Sequence, residues 1–146
     1  MPLTARPHHV GLSVADLDAE KRWYQQAFGL DEVVERFELP EPRVRTVVLR
    51  APNGLRIELI ERAGSRAHSS ENPLDAALTQ GYGHWAIEVD DVEQAFAQLS
   101  AAGAQPVSPM APAVQPGGRF AYVRDPEGNL LELIQPPRVA AAARSG

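Results

Sequence analysis

HVGLSVADL, residues 9 to 17, and HWAIEVDDV, residues 84 to 92, are two versions of one pattern: a histidine, an alternating run, then an aspartate that can start a helix. In the first copy Val10, Leu12 and Val14 fall on one face of a strand and His9, Gly11 and Ser13 on the other, because successive strand side chains point to opposite sides. The repetition continues downstream. APNGLRIELIE, 51 to 61, matches DPEGNLLELIQ, 125 to 135, and Phe28-Gly29 matches Ala102-Gly103, all displaced by 74 or 75 positions. Two copies are too few for a solenoid, which needs about three or more to bury a continuous core, so the pattern predicts a paired module.

Each copy reads as βαβββ. In the first, a strand over residues 9–14 precedes a helix over 17–28, with Asp16 as N-cap, Tyr24, Ala27 and Phe28 able to share an apolar side, and Gly29 as C-cap. Strands follow over 32–38 and 44–50, split by Pro40 and Pro42, and Asn53-Gly54 turns the chain into a last strand over 55–61. In the second, a strand over 83–89 leads to a helix capped by Asp91, with Val92, Ala95, Phe96 and Leu99 at helical spacing and Gly103 at its end. Prolines 106, 109, 112 and 116 make 105–118 a loop or a poor edge strand, and strands over 119–124 and 130–135 form a hairpin around Pro126-Glu127-Gly128. The predicted organisation is a single α+β domain over 1–146: module one 7–62, a linker 63–80 with a short helical stretch around 74–78, module two 81–136, and a frayed tail 137–146.

Composition sets the outer limits. The chain has 146 residues and no cysteine, which excludes disulfide frameworks, thiolate zinc sites and cysteine nucleophiles and suits a reducing cytoplasm. A formal charge of −5, with both signs interspersed, gives no basic stripe for nucleic acid. Neither a signal-peptide core nor an apolar run of the ~20 residues that span a bilayer is present, so no membrane partner is expected.

Four residues stand at matched places in the two copies: His9 and Glu58, 49 positions apart, and His84 and Glu132, 48 apart. Strand alternation sends Glu58 to the face opposite Leu55, Ile57 and Leu59, and sends Glu132 away from Leu131 and Leu133. Both histidines likewise lie opposite the aliphatic faces of their strands, each two positions before a small residue, Gly11 or Ala86. If the modules pair about a pseudo-two-fold axis, two imidazoles and two carboxylates converge, a set suited to one divalent ion (Zn, Ni, Co, Mn or Fe) with positions left for water or substrate. Taken singly, a histidine at a strand start is more often structural, and Arg56 offers an alternative role for Glu58 as its ion-pair partner. Matched positions in both copies weigh against that. His8 has the wrong strand parity for a ligand, and His68 lies in the linker.

The motifs HVGLSV, GHWAIEVDD and DPEGNLLELIQ resemble the vicinal oxygen chelate superfamily, the glyoxalase, bleomycin-resistance and dioxygenase proteins, over about residues 7 to 136. The resemblance implies an open, cup-shaped, eight-stranded sheet around a divalent metal, usually in a homodimer, and it carries His9, Glu58, His84 and Glu132 onto the four metal positions of the glyoxalase I branch. LPEPRVRTVVL, 39 to 49, resembles the epimerase stretch that carries a catalytic glutamate and maps it to Glu41. After the seventh strand, DPEGN at 125 to 129 stands where the epimerases carry a longer, different turn, and no glutathione-binding set is apparent.

The expected chemistry is abstraction of a proton next to a carbonyl of a small-molecule substrate, in a glyoxalase-like lyase or an epimerase-like isomerase, with the enediolate or enolate charge stabilised by the ion. Glu132 is the first candidate base, Glu41 the second, and Glu88, on the strand face of His84, the third. A surface charge beside Asp90 and Asp91 is the plainer reading of Glu88. Parity leaves open whether Phe120 and Tyr122 or Arg119, Ala121 and Val123 face the site. Two other classes remain: an Fe(II) extradiol-type dioxygenase using His9, His84 and Glu132, and a metal-free drug-binding or resistance protein.

Overall fold

In a computed structural model that describes residues 1–138, the two copies fold as two four-stranded mixed sheets, in line with the α+β expectation. In chain order the elements are β1 (Val10–Val14), α1 (Leu17–Phe28), β2 (Glu32–Leu39), β3 (Val44–Arg50), β4 (Arg56–Arg62), α2 (Pro73–Ala76), β5 (Trp85–Glu88), α3 (Val92–Ala101), β6 (Gln105–Pro112), β7 (Arg119–Arg124) and β8 (Leu130–Gln135). One sheet has the order β1-β4-β3-β2 and the other β5-β8-β7-β6. The contacts divide between a unit ending at His68 and a unit beginning at Ser69. The predicted tail falls outside the described residues from 139 onward. Among the described residues no helix is long and apolar enough to cross a membrane.

The two longer helices, α1 and α3, start where the sequence places an aspartate. The Asp16 carboxylate accepts from the Ala19 N–H at 2.9 Å and the Asp91 carboxylate from the Gln94 N–H at 3.0 Å, satisfying donors that have no partner within the helix. A second clamp repeats with them. The Leu17 N–H donates to Glu61 Oε2 and the Val92 N–H to Gln135 Oε1, both at 2.9 Å, so the end of each module's last strand is tied to the start of its helix. Gly29 closes α1 in the left-handed region, φ 65°, with its N–H on the Gln25 carbonyl.

Strand alternation decides what is buried. In β4, Ile57 and Leu59 are fully buried while Glu58 between them is half-exposed, and α1 packs on β4 and β3. In β8 the buried positions are Leu130, Leu131 and Leu133, with α3 packed on β6, β7 and β8. The buried side of α1 is Leu17, Glu20, Trp23 and Tyr24; Ala27 and Phe28, expected to share that side, are only half-buried. The register of i, i+3 and i+7 from Leu17 fixes the buried stripe, and Phe28, one turn beyond Tyr24, is left to stack on Tyr24 at 5.9 Å between ring centres.

The 105–118 segment forms an edge strand through Pro112. Its pairing with β7 slips between Pro106 and Ser108 and again between Ser108 and Ala111, as expected where proline removes ladder donors. The β3/β4 and β7/β8 hairpins close on Gly54 and Gly128, with φ of 91° and 95°, backbone that side-chain-bearing residues rarely adopt. In the second, the buried Asp125 carboxylate accepts from the Glu127 and Asn129 N–H groups and from the Asn129 amide, fixing the turn that sets the β7/β8 register.

Candidate metal centre

In the first unit, β1 runs parallel to β4 with Gly11 opposite Glu58. Cross-strand partners point to the same side, so Gly11, one of the smallest possible neighbours, leaves the approach to the Glu58 carboxylate open. A Cβ built on Gly11 comes 3.7 Å from Glu58 Oε2, an ordinary contact. His9, one position before β1, reaches across so that its Nε2 lies 3.3 Å from Glu58 Oε2. On its other side, His9 Nδ1 meets His8 Nδ1 at 2.7 Å, and His8 Nε2 meets Arg56 Nη1 at 3.0 Å. Arg56 thus engages His8, not the Glu58 carboxylate that the sequence offered as its alternative partner.

The second unit repeats the arrangement in register. Ala86 lies opposite Glu132, and His84 Nε2 sits 2.9 Å from Glu132 Oε2. Here the antiparallel neighbour adds an aromatic ring: Tyr122 pairs with Glu132, and its ring meets His84 edge-on at 5.4 Å. Phe120, two residues along the same face, meets Tyr122 at 5.9 Å. Phe120 and Tyr122 therefore share the face of Glu132, the choice that parity left open. The turn could have decided it, since a hairpin pinned from Asp125 to Asn129 pairs Arg124 with Leu130 and hence Tyr122 with Glu132.

The equivalent position in the first unit is Val48, opposite Glu58, so the two carboxylates are not alike. Only Glu132 has a phenol beside it. Burial, then the Glu132 charge and the hydrogen bond between the two, push the Tyr122 phenol up from 10.0 to about 12. A raised folded-state value means the native protein keeps this proton where the unfolded chain has lost it, so stability falls as pH rises from about 10 to about 12. We expect Tyr122→Phe to flatten that decline and to delete a late tyrosinate absorbance step. Thermal unfolding with parallel slopes for both proteins across that window would remove the Tyr122–Glu132 coupling.

Of the other candidates, Glu88 lies on the same face of β5 as Ala86, opposite Ile134 on β8, exposed at the strand's end. Glu41 is exposed in the β2–β3 turn. The β3/β4 register puts that turn beyond the Val44–Arg62 pair, four residues from the Val48–Glu58 pair, or roughly 13 Å along the strands at ~3.3 Å per residue. The first unit thus does not gather Glu41 with His9 and Glu58. Among the described residues no group of three or more His, Asp or Glu side chains is drawn together tightly enough to hold an ion; each unit brings two. In the sequence, strand parity sets His8 apart from the ligand positions. Parity does not apply before Val10, where β1 begins, and the rings of His8 and His9 meet at 5.0 Å.

Residues 6–133 match the family described as the Glyoxalase/Bleomycin resistance protein/Dioxygenase superfamily. The chain belongs to that superfamily. It is 27% identical over 130 residues to a lactoylglutathione lyase of Arabidopsis thaliana, covering 87% of this chain and 43% of the plant protein. The superfamily chain thus spans less than half the length of the plant relatives it matches. It is 28% identical over 136 residues to an ethylmalonyl-CoA/methylmalonyl-CoA epimerase of Cereibacter sphaeroides, covering 91% of this chain and 99% of the epimerase. The crystal structure of a glyoxalase family protein from Enterococcus faecalis superposes with a TM-score of 0.73 at 24% identity, covering 88% of this chain and 96% of that one, which shows a shared fold.

Proposed function

We propose that this superfamily member is a divalent-metal-dependent enzyme that moves a proton on the carbon next to a carbonyl of a small molecule, as a lyase or an isomerase. The observation that carries it is the recurrence of one His Nε2–Glu Oε2 contact, at 3.3 and 2.9 Å, at the same register in both units. Each pair offers one imidazole nitrogen and one carboxylate oxygen, partly buried, a donor chemistry that fits a borderline divalent cation. The residues that would hold the ion are His9, Glu58, His84 and Glu132. When bound, it supplies a Lewis acid where negative charge develops on the carbonyl oxygen.

The residues themselves supply the rest. Glu132 is the first base, because a carboxylate with a neighbouring phenol donor can take up a proton and keep its orientation. Phe120 and the Tyr122 ring give that side of the sheet an aromatic wall against which an apolar part of a substrate can lie. Glu88, further along the same face, and Glu41 are the second-rank bases. Assembly as a homodimer belongs to the same proposal, since the edge strand β2 leaves Val34, Phe37 and Leu39 exposed.

Elemental analysis combined with exchange in heavy water tests the proposal. The protein should retain or take up one divalent ion per site, and 2-oxo or acyl compounds should gain deuterium on the carbon next to the carbonyl. Absence of both ion and exchange across a broad panel would refute it, and oxygen uptake with a catechol would move the site to the dioxygenase class.

A further inference from the structure

The contacts around His9 form a directed chain whose polarity is set at one end. A guanidinium has five donors and no acceptor, so the Arg56 Nη1 contact at 3.0 Å requires His8 Nε2 to offer its lone pair. The His8 proton then sits on Nδ1 and points to His9 Nδ1, 2.7 Å away. That nitrogen must accept. His9 is thereby left with its own proton on Nε2, facing Glu58 Oε2 at 3.3 Å, which a carboxylate can accept. Donor and acceptor roles agree at all three contacts, and reversing any one of them reverses the rest and sets His8 Nε2–H against Arg56 N–H.

An ion needs the opposite. A metal-binding imidazole presents a bare nitrogen and carries its proton on the other one, usually donated to a carboxylate or a carbonyl. Here the group behind His9 is a histidine backed by a cation, which favours the tautomer that cannot ligate through Nε2. The second unit differs: His84 is flanked by Tyr122 and Glu132, with the aromatic edge of Tyr122 against its ring.

Resting on the metal-site proposal above, we propose that His8 and Arg56 are positioning residues that lock His9 with its Nε2 protonated, so that the ion is taken up at His9 only as Arg56 releases His8. Uptake at this half-site is then opposed by one charge-assisted hydrogen bond, and removing His8 frees His9 to carry its proton on Nδ1, facing water.

Two measurements test this. Nitrogen-15 correlation spectra of the metal-free protein, which has four histidines to assign, should show His9 as the Nε2–H tautomer and the His8→Ala protein as a mixture. Calorimetric titration with Zn²⁺ should give His8→Ala about tenfold tighter binding, the scale of one hydrogen bond to a charged group, with Arg56→Gln shifted in the same direction. His9 found with its proton on Nδ1 in the metal-free wild type overturns the lock. Equal Zn²⁺ affinity for wild type and His8→Ala overturns it while leaving the metal site standing, because the ion still binds. Failure of Zn²⁺ to bind either protein overturns the metal site and the lock together.

Discussion

Glu132→Gln should lower deuterium exchange at a carbon next to a carbonyl by at least about 100-fold, the lower end of what a positioned general base contributes, with the midpoint of thermal unfolding unchanged to within about 1 °C in the metal-free protein, since the change opens no cavity, strains no backbone and buries no new charge. The amide is isosteric. Its oxygen can still accept from Tyr122, and its NH₂ can donate across the 2.9 Å contact to His84 Nε2 once that imidazole carries its proton on Nδ1, so neither neighbour loses a partner. What the amide cannot do is take a proton near neutral pH. Exchange is to be measured at saturating divalent ion, because the amide oxygen remains a weaker ligand and a loss of metal alone would imitate a loss of base. Wild-type exchange in Glu132→Gln under those conditions would show that the proton goes elsewhere, with Glu88 on the same face as the next candidate.

Much of this arrangement is legible in the chain because strand periodicity and the repeat report on the same positions. Alternation sends Glu58 and Glu132 out of the core faces of β4 and β8, and the 74-to-75-residue displacement pairs each with a histidine at a strand start. The helix bounds follow from Asp16, Asp91 and Gly29, residues that act through their own backbone geometry. Where the outcome depends on a neighbour distant in sequence, the reading stops short. The side of Tyr122 is decided by the β7/β8 register, the partner of Arg56 by a histidine 48 positions earlier, and the role of Glu61 and Gln135 by helix starts 44 and 43 positions before them. Glu41 is reached by a short motif likeness alone: the β3/β4 register puts it at the end of its sheet away from His9, so strand periodicity adds nothing to its assignment.

Tyr24→Ala should cost about 4 kcal/mol, within the range for emptying a large aromatic from a core, and more than Leu99→Ala, which removes the residue standing at the repeat-equivalent position of α3. Tyr24 is fully buried, whereas its counterpart Leu99 is 4% exposed and aliphatic, so the first unit has placed more of its core in one side chain. The ring also carries contacts that shrink with it: Trp23 meets it edge-on at 4.8 Å and Phe28 stacks at 5.9 Å, geometries worth roughly 0.5–1.5 kcal/mol beyond area burial. Neighbours can fill such a hole only by moving Trp23 or α1 itself, and α1 is held at its start by both Asp16 and Glu61. Urea titration followed by tryptophan fluorescence separates the sites, because one of the two tryptophans, Trp23, belongs to the first unit and the other, Trp85, to the second. At ~2–4 °C per kcal/mol for a chain of this size, the midpoint of Tyr24→Ala should fall by roughly 10 °C. A loss under about 1 kcal/mol, the ordinary effect of a surface change, would mean that α1 is not anchored through Tyr24, and the fixed geometry of the strand beneath it, which presents Glu58, would need another support.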